Sequence, residues 1–356
     1  MSNQNYTYDY LLVGQGLAGS LLYWSLTKQG KKVFIIDKFN PSSSSNVAAG
    51  IIHPVTGRRI VKTWMADVLI PTAEIIYKEI ENEFNEELYF RKNILELIHS
   101  VKEQNDWNAK STSEELKNYF SAEDTSDLYK DILTDAPKKI SIAKAGWLNV
   151  ARMIQLFRQQ LSVMKCLMDK EFNHDALFLT GDGITYKNIR AEKIIFCEGY
   201  RAIQNPFWKH LPFLPAKGEV LTIRSDQLKL DHILTKTIFI LPIGNNLFKI
   251  GSTYSWDELN EIPTEKAKQD LLNQFEKITN VSYEVVDHKA AIRPTVKDRR
   301  PFIGLHPDYP QVGIFNGLGT KGVLLAPYFA NHFGEHLDGK SEIIGEIDVK
   351  RFPPIK

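Results

Sequence analysis

The sequence predicts an α/β fold, in which a Rossmann-type dinucleotide-binding domain carries a second domain built on a mixed sheet. Three observations predict it: a strand, helix, strand order at the N-terminus, a glycine fingerprint at the first strand-to-helix turn, and a second glycine turn opening an apolar helix near the C-terminus. Tyr8 to Val13 reads as a buried strand. Leu17 to Gln29 follows as a helix with Leu17, Leu21, Leu22 and Leu26 at apolar positions, and Lys32 to Ile36 as a second strand. Pro41 and the run Ser42 to Ser45 break the periodicity, so the segment up to Gly50 is expected to be a loop with free backbone amides. A helix is expected from about Ile70 to Phe84, with Pro71 near its start, and then a strand-like stretch from Leu88 to Ile98. The polar region from Lys102 to Lys139 is expected to be helical on a solvated surface.

Val150 to Met164 has the apolar period of a helix, and Phe172 to Phe196 contains short strands ending in the buried run Ile194-Ile195-Phe196. Between Trp208 and Lys289, strand-like pieces such as Glu219 to Ile223 and Phe248 to Thr253 surround a helix near Lys266 to Phe275. Val312 to Phe315 reads as a strand, Asn316 to Gly322 as a glycine-containing turn and Val323 to Leu337 as a helix. No internal repeat or low-complexity linker interrupts this order.

At 356 residues, with 43% hydrophobic and 11% aromatic side chains, the chain can bury a substantial core. Its 44 basic residues nearly balance 43 acidic ones, and a net charge of +1 provides no global field to hold DNA or an anionic membrane. No apolar run approaches the roughly 20 residues of a membrane span, and Met1 to Tyr10 shows no basic-then-apolar leader. Cys166 and Cys197 are too few for a disulfide scaffold or a thiolate metal site. These readings point to a soluble protein of the reducing cytoplasm, with no DNA, membrane or metal partner.

Gly14-Gln15-Gly16-Leu17-Ala18-Gly19 matches G-x-G-x-x-G between a strand and a helix. Gly14 permits the tight turn, Gly16 removes a side chain where a pyrophosphate meets the helix N-terminus, and Gly19 lets helix and strand pack closely. Asp37 follows the second strand, 23 residues after Gly14, about the spacing of a carboxylate that accepts hydrogen bonds from ribose hydroxyls. An acid there also disfavours a ribose 2′-phosphate. NAD and FAD present the same ADP half, so the fingerprint alone leaves both open.

Five further segments decide between them. They are Ser44-Ser45-Asn46-Val47-Ala48-Ala49-Gly50-Ile51-Ile52, Ile194-Ile195-Phe196-Cys197-Glu198-Gly199, Pro215-Ala216-Lys217-Gly218-Glu219, the stretch from Ile292-Arg293-Pro294 to Gly304, and the stretch from Gly317-Leu318-Gly319-Thr320-Lys321-Gly322 to Pro327. With the fingerprint, they run in the order seen in the D-amino acid oxidase and glycine oxidase family of flavoproteins, which the whole chain resembles. The resemblance implies a glycine oxidase-like fold. Its FAD-binding domain would comprise residues 1–65, 141–207 and 290–356, and its substrate domain residues 66–140 and 208–289.

It also implies non-covalent FAD, held by Gly14, Gly16, Leu17, Ala18, Gly19, Asp37 and Lys38, by Ser45, Ala48, Ala49, Gly50 and Ile51, and by Gly199. Arg293, Gly317, Gly319, Thr320, Lys321, Gly322 and Val323 complete that set. The serine and alanine loop would bring amides to the pyrophosphate and the isoalloxazine edge. The turn Gly317 to Gly322 would place helix-terminal amides at flavin N1–C2=O.

On the substrate side the resemblance assigns Arg293 to the carboxylate of a small amine or amino acid, since a planar guanidinium binds it bidentately. Tyr254 falls where glycine oxidases line the pocket, and a core or surface tyrosine fits that position too. Phe239 stands where those enzymes often carry a tyrosine hydroxyl, and Thr320 where glycine oxidase has a basic residue, so glycine itself is not the expected substrate. The expected reaction is hydride transfer to flavin N5, imine hydrolysis, and reoxidation by oxygen or another acceptor; a homo-oligomer stays open. In His53 to Lys62, the cations Arg58, Arg59 and Lys62 read equally well as recognising an acidic group and as a solvated face. Hydride transfer from a neutral amine requires no base at His53.

Two other readings stand beside this one. Ala145-Gly146-Trp147-Leu148-Asn149 and Ile250-Gly251-Ser252-Thr253-Tyr254 also resemble the FAD domain that trims carboxymethylaminomethyl-uridine in tRNA, against which stand the net charge of +1 and the absence of a methyltransferase segment among these residues. The other is a flavin-binding protein without turnover, which the retained Arg293 disfavours.

Overall fold

The structure, a computed structural model, describes residues 8–56, 60–98, 100–135 and 137–354. They group into two compact units, one of residues 1–48, 150–216 and 292–356, the other of residues 49–149 and 217–291. The boundaries differ from the expected ones throughout: residues 208–216 group with the first unit, and residues 49–65, 141–149 and 290–291 with the second. Ile51–Ile52 pairs with Gly146–Leu148, which in turn pairs with Tyr89–Arg91, so the short three-stranded sheet draws residues 49–65 and 141–149 into the second unit.

The first unit is organised by an eight-stranded sheet whose central strands run parallel. Leu167–Met168, Val33–Ile36, Tyr8–Val13, Ile189–Phe196 and Val312–Asn316 lie side by side in that order, all parallel, and Phe302–Leu305 closes the far edge antiparallel. The long strand serves two neighbours on one edge: Ile189–Ala191 pairs with the hairpin strand Ile184–Tyr186, and Ile194–Phe196 pairs with Val312–Ile314. A parallel sheet covered on both faces needs nearly continuous apolar strands. Val33, Ile35, Ile36, Ile194, Ile195 and Phe196 are accordingly buried. Trp208, fully buried, and Phe302 fill the core on one side. The helices Leu17–Lys28 and Gly322–Leu337 pack together; a Cβ on Gly322 would lie 3.0 Å from Leu17 Cδ2.

In the second unit a seven-stranded sheet runs in the order Glu284–Arg293, Ala216–Arg224, Leu247–Gly251, Phe239–Gly244, Ile233–Thr235, Ile94–Ile98 and Lys138–Ile142. One face is apolar: Leu221, Ile240, Phe248 and Ile250 pack with Leu271 and Phe275 of the helix Glu265–Glu276. That helix begins at Thr264, whose hydroxyl accepts the Ala267 N–H.

Three local expectations change. The stretch 88–98 is two strands, Tyr89–Arg91 and Ile94–Ile98, which join different sheets. Lys102 to Lys139 holds one helix, Val101–Ser111, capped by Ser100, followed by a 3-10 turn at Lys117–Tyr119; only Trp107 of the helix is buried, so little packing extends it further. Ser44–Val47 is a helical turn rather than an open loop. Ser43 caps it, and the amides of Asn46, Val47 and Ala48 donate to Ser43 or Ser44 carbonyls, so they are not free.

Candidate functional site

Four of the first unit's parallel strands end beside one another, and each is followed by a segment read from the sequence as cofactor-binding. Val13 leads to Gly14, Ile36 to Asp37, Phe196 to Cys197 through Gly199, and Asn316 to Gly317. The carboxyl edge of an open parallel sheet is where α/β proteins bind ligands. Asn316 ties two of these segments together, its Nδ2 donating to the Gly199 carbonyl at 2.9 Å.

The glycine fingerprint has steric reasons at atomic level. Gly14 has φ +101°, and a Cβ there would lie 2.6 Å from the Cys197 carbonyl oxygen; one on Gly19 would lie 1.9 Å from the Gly14 carbonyl oxygen. Both contacts are with backbone that cannot swing aside. Gly16 caps the helix with extended backbone, and the Leu17 N–H donates to Ser45 Oγ at 3.0 Å. Ser45 thereby stands over the start of the helix, where the amides of Leu17, Ala18 and Gly19 lack intrahelical acceptors.

Asp37 is held from two sides. Its Oδ1 accepts the Gln15 N–H at 2.9 Å, and its Oδ2 accepts from Arg158 Nη1 at 2.7 Å. Lys38, next to it, is exposed. Arg293 is half-buried at the end of the strand Glu284–Arg293, and its carbonyl accepts the Thr295 N–H. The Thr295 side chain in turn lies against Gly319, whose Cβ would sit 3.6 Å from Thr295 Cγ2. The Arg293-Pro294-Thr295 segment therefore adjoins the turn Gly317 to Gly322. Within that turn Lys321 is half-buried, and burial, with Arg299 and Arg300 nearby, pushes its ammonium down to about 8. Thr320 is exposed, whereas Val323 is buried in the helix.

Of the remaining sequence-read residues, Ala49, Gly50 and Ile51 belong to the second unit. Gly50 has φ +74°, and a Cβ on it would lie 2.0 Å from the Leu148 carbonyl oxygen, so sheet packing alone requires glycine there. Phe239 pairs with Gly251, and Leu241 with Lys249, on the face of the seven-stranded sheet opposite the helix Glu265–Glu276. Tyr254 is 45% exposed, its ring tilted against Trp256 at 4.7 Å. Arg58 and Arg59 lie outside the described residues; Lys62 pairs with Asp67 at 2.8 Å. Two groups escaped the sequence reading. Lys249 is pushed down to about 8 by burial, with Lys289 adding to the effect; a lone lysine inside the apolar strand Leu247–Gly251 was the available signal. Arg158 had none, since its partners are distant in sequence.

Among the described residues no helix is long and apolar enough to cross a membrane, and no cluster of His, Cys, Asp or Glu could hold a metal ion. The sequence profile of the family described as FAD dependent oxidoreductase, DAO, matches residues 9–335. The chain belongs to this family. Its cofactor is FAD, and the residues fit an ADP half: a side-chain-free helix start at Gly16, a carboxylate at Asp37 after the second strand, and clustered strand ends around them. Solved structures agree in fold. Glycine oxidase from Geobacillus kaustophilus superposes with a TM-score of 0.78 at 18% identity over 98% of both chains. Iminodiacetate oxidase from Chelativorans sp. BNC1 superposes with 0.78 at 17% identity, over 97% of this chain and 98% of that one. By sequence the chain is 25% identical over 323 residues to the tRNA 5-methylaminomethyl-2-thiouridine biosynthesis bifunctional protein MnmC of Legionella pneumophila (strain Corby), covering 84% of this chain and 46% of that protein. The chain thus spans about half the length of that relative.

Proposed function

We propose that this flavoprotein oxidises the C–N bond of a small amine or amino acid, giving an imine that hydrolyses. FAD supplies the two-electron acceptor, at N5 of its ring, and oxygen or another oxidant takes the electrons on. The observation that carries the reading is the placement of Arg293. It ends a strand two residues before Thr295, whose side chain lies against Gly319 of the glycine turn, so a carboxylate held by its guanidinium would lie close to that turn in the first unit. The cations Arg299, Arg300 and Lys321 make that turn favourable for negative charge accumulating on a reduced cofactor. Phe239 offers no hydroxyl and Thr320 no charge, which favours a substrate other than glycine. The TM-scores of the glycine and iminodiacetate oxidases support the same chemistry by shared fold.

A second reading, oxidation of a carboxymethylaminomethyl group on a tRNA base, is supported by the similarity to the Legionella protein over 84% of this chain. Both readings meet one experiment. The FAD-loaded protein is mixed anaerobically with amino acids of both hands, N-methylated amines, iminodiacetate and RNA bearing the modified uridine, and the flavin absorbance is followed. Bleaching by a small amine supports the first reading and bleaching by RNA alone the second; if nothing bleaches the flavin, C–N oxidation is rejected. With the active substrate, Arg293→Lys should keep its flavin while the half-saturating concentration rises about 10- to 100-fold, as expected for a charged, bidentate hydrogen bond reduced to a point contact.

A further inference from the structure

Arg158 reaches the dinucleotide site from the helix Val150–Val163, 121 residues beyond Asp37 in sequence. Its Nη1 donates to Asp37 Oδ2 at 2.7 Å and to Gln15 Oε1 at 3.1 Å. Its Nη2 donates to the Asp37 carbonyl at 3.3 Å and pairs with Asp169 Oδ1 at 2.8 Å, and the guanidinium lies over the Phe39 ring. Gln15 is itself fixed, its Nε2 donating to Ser20 Oγ and to the Ile154 carbonyl, both at 3.0 Å. The Asp37 carboxylate is therefore gripped once on each oxygen, by the Gln15 amide and by Arg158. An ionised carboxylate has about four lone-pair sites. Two are used here, and two remain, the number that the vicinal hydroxyls of a ribose require.

The four Nη hydrogens of Arg158 meet the four acceptors Asp37 Oδ2, Gln15 Oε1, the Asp37 carbonyl and Asp169 Oδ1, so the cation is already committed within the protein. It differs in this from the arginine that accommodates a ribose 2′-phosphate.

We infer that Arg158 is a positioning residue of the adenosine-ribose subsite: it sets the Asp37 carboxylate so that its two remaining acceptor positions take the 2′- and 3′-hydroxyls, which makes dinucleotide binding sensitive to the ribose. The inference rests on the FAD site and concerns this chain's own residues.

The test compares FAD with an FAD analogue whose adenosine ribose lacks the 2′-hydroxyl, each titrated into flavin-free protein by quenching of flavin fluorescence. The wild type should prefer FAD by about tenfold. In Arg158→Gln the affinity for FAD should fall by about that factor and the affinity for the analogue hardly at all, so the preference collapses towards one. Asp37→Asn should produce the same collapse, and adding Arg158→Gln to it should cost nothing more. Equal weakening of both ligands in Arg158→Gln, or an unchanged preference, overturns the inference and leaves Arg158 a packing residue. Arg158→Lys, which keeps the charge but not the fork, answers the same question should the glutamine variant fail to fold: it should lose preference while retaining flavin. A wild type that binds neither ligand would fault the cofactor reading itself and not the role of Arg158.

Discussion

Glu198 follows the buried strand Ile189–Phe196 by two residues, and replacing it with glutamine should stabilise the protein at alkaline but not acidic pH. Its Oε2 accepts from Asn205 Nδ2 at 2.7 Å, and Oε1 lies 3.7 Å from His174 Nε2. Burial pushes the carboxyl up to about 7, against which the Asn205 bond and Arg201 act only partly. Burial also holds the His174 imidazole below its ordinary range, so near neutrality it supplies no compensating charge. A rise from 4.5 to about 7 corresponds to a penalty of about 3 kcal/mol on the ionised form. Below pH 4.5 the group is protonated in folded and unfolded chains alike and contributes no pH dependence. Between 4.5 and 7 the folded chain keeps a proton that the unfolded chain has released, so stability falls as pH rises; above 7 the penalty is constant. Glutamine accepts the same bond from Asn205 and carries no charge. The gain of Glu198→Gln over wild type should therefore be small at about pH 5 and grow to about 3 kcal/mol at about pH 8. Denaturant titrations of both proteins at intermediate pH steps measure this. A constant difference at every pH, or a variant less stable than wild type at about pH 8, would refute the assignment of a buried, protonated carboxyl.

Gly19→Ala should abolish flavin retention, with affinity lowered at least about 100-fold, because its Cβ would stand 1.9 Å from the Gly14 carbonyl oxygen; Gly181→Ala, in open space, should leave the flavin spectrum unchanged. In the second unit the Lys217 ammonium donates to Asn260 Oδ1 and the Ile262 carbonyl and lies 3.6 Å from Glu219, with both side chains buried. Lys217→Met leaves the buried Glu219 carboxylate with His288, at 2.9 Å, as its remaining ion-pair partner and with its bonds from Thr264, and should cost about 1–3 kcal/mol in denaturant unfolding, whereas adding Glu219→Gln, which keeps an acceptor for the Thr264 N–H, should recover part of the loss.

Residues adjacent in sequence carried most of the legible information. The fingerprint from Gly14 to Gly19, the acid at Asp37, and the strand-turn-helix order from Val312 to Leu337 are local patterns, and the structure sets them at neighbouring strand ends. The helices expected around residues 17–29, 150–164 and 266–275 occur as Leu17–Lys28, Val150–Val163 and Glu265–Glu276, because an apolar period of 3.6 survives without knowledge of partners. Short strands lack such a signal. Nothing within Leu88 to Ile98 says that Tyr89–Arg91 and Ile94–Ile98 enter different sheets, and nothing near Ile51 says that it pairs with Trp147. Serine-rich segments mislead in the same way: Ser42 to Ser45 has the composition of a loop, yet Ser43 caps a helical turn that consumes the amides expected to be free.

The sequence by itself determined that the chain carries the strand, glycine turn and helix of a dinucleotide-binding fold, and it marked the glycines and the carboxylate expected to build the site, since backbone sterics and strand-helix spacing act over fewer than about 25 residues. Only the tertiary structure decided what surrounds them. Arg158 grips Asp37 from a helix 121 residues away, Gly50 is required by the Leu148 carbonyl, and Lys249 and Glu198 are moved from their ordinary protonation ranges by burial. Long-range hydrogen bonds and desolvation arise when distant segments pack together, and no local pattern of residues encodes them.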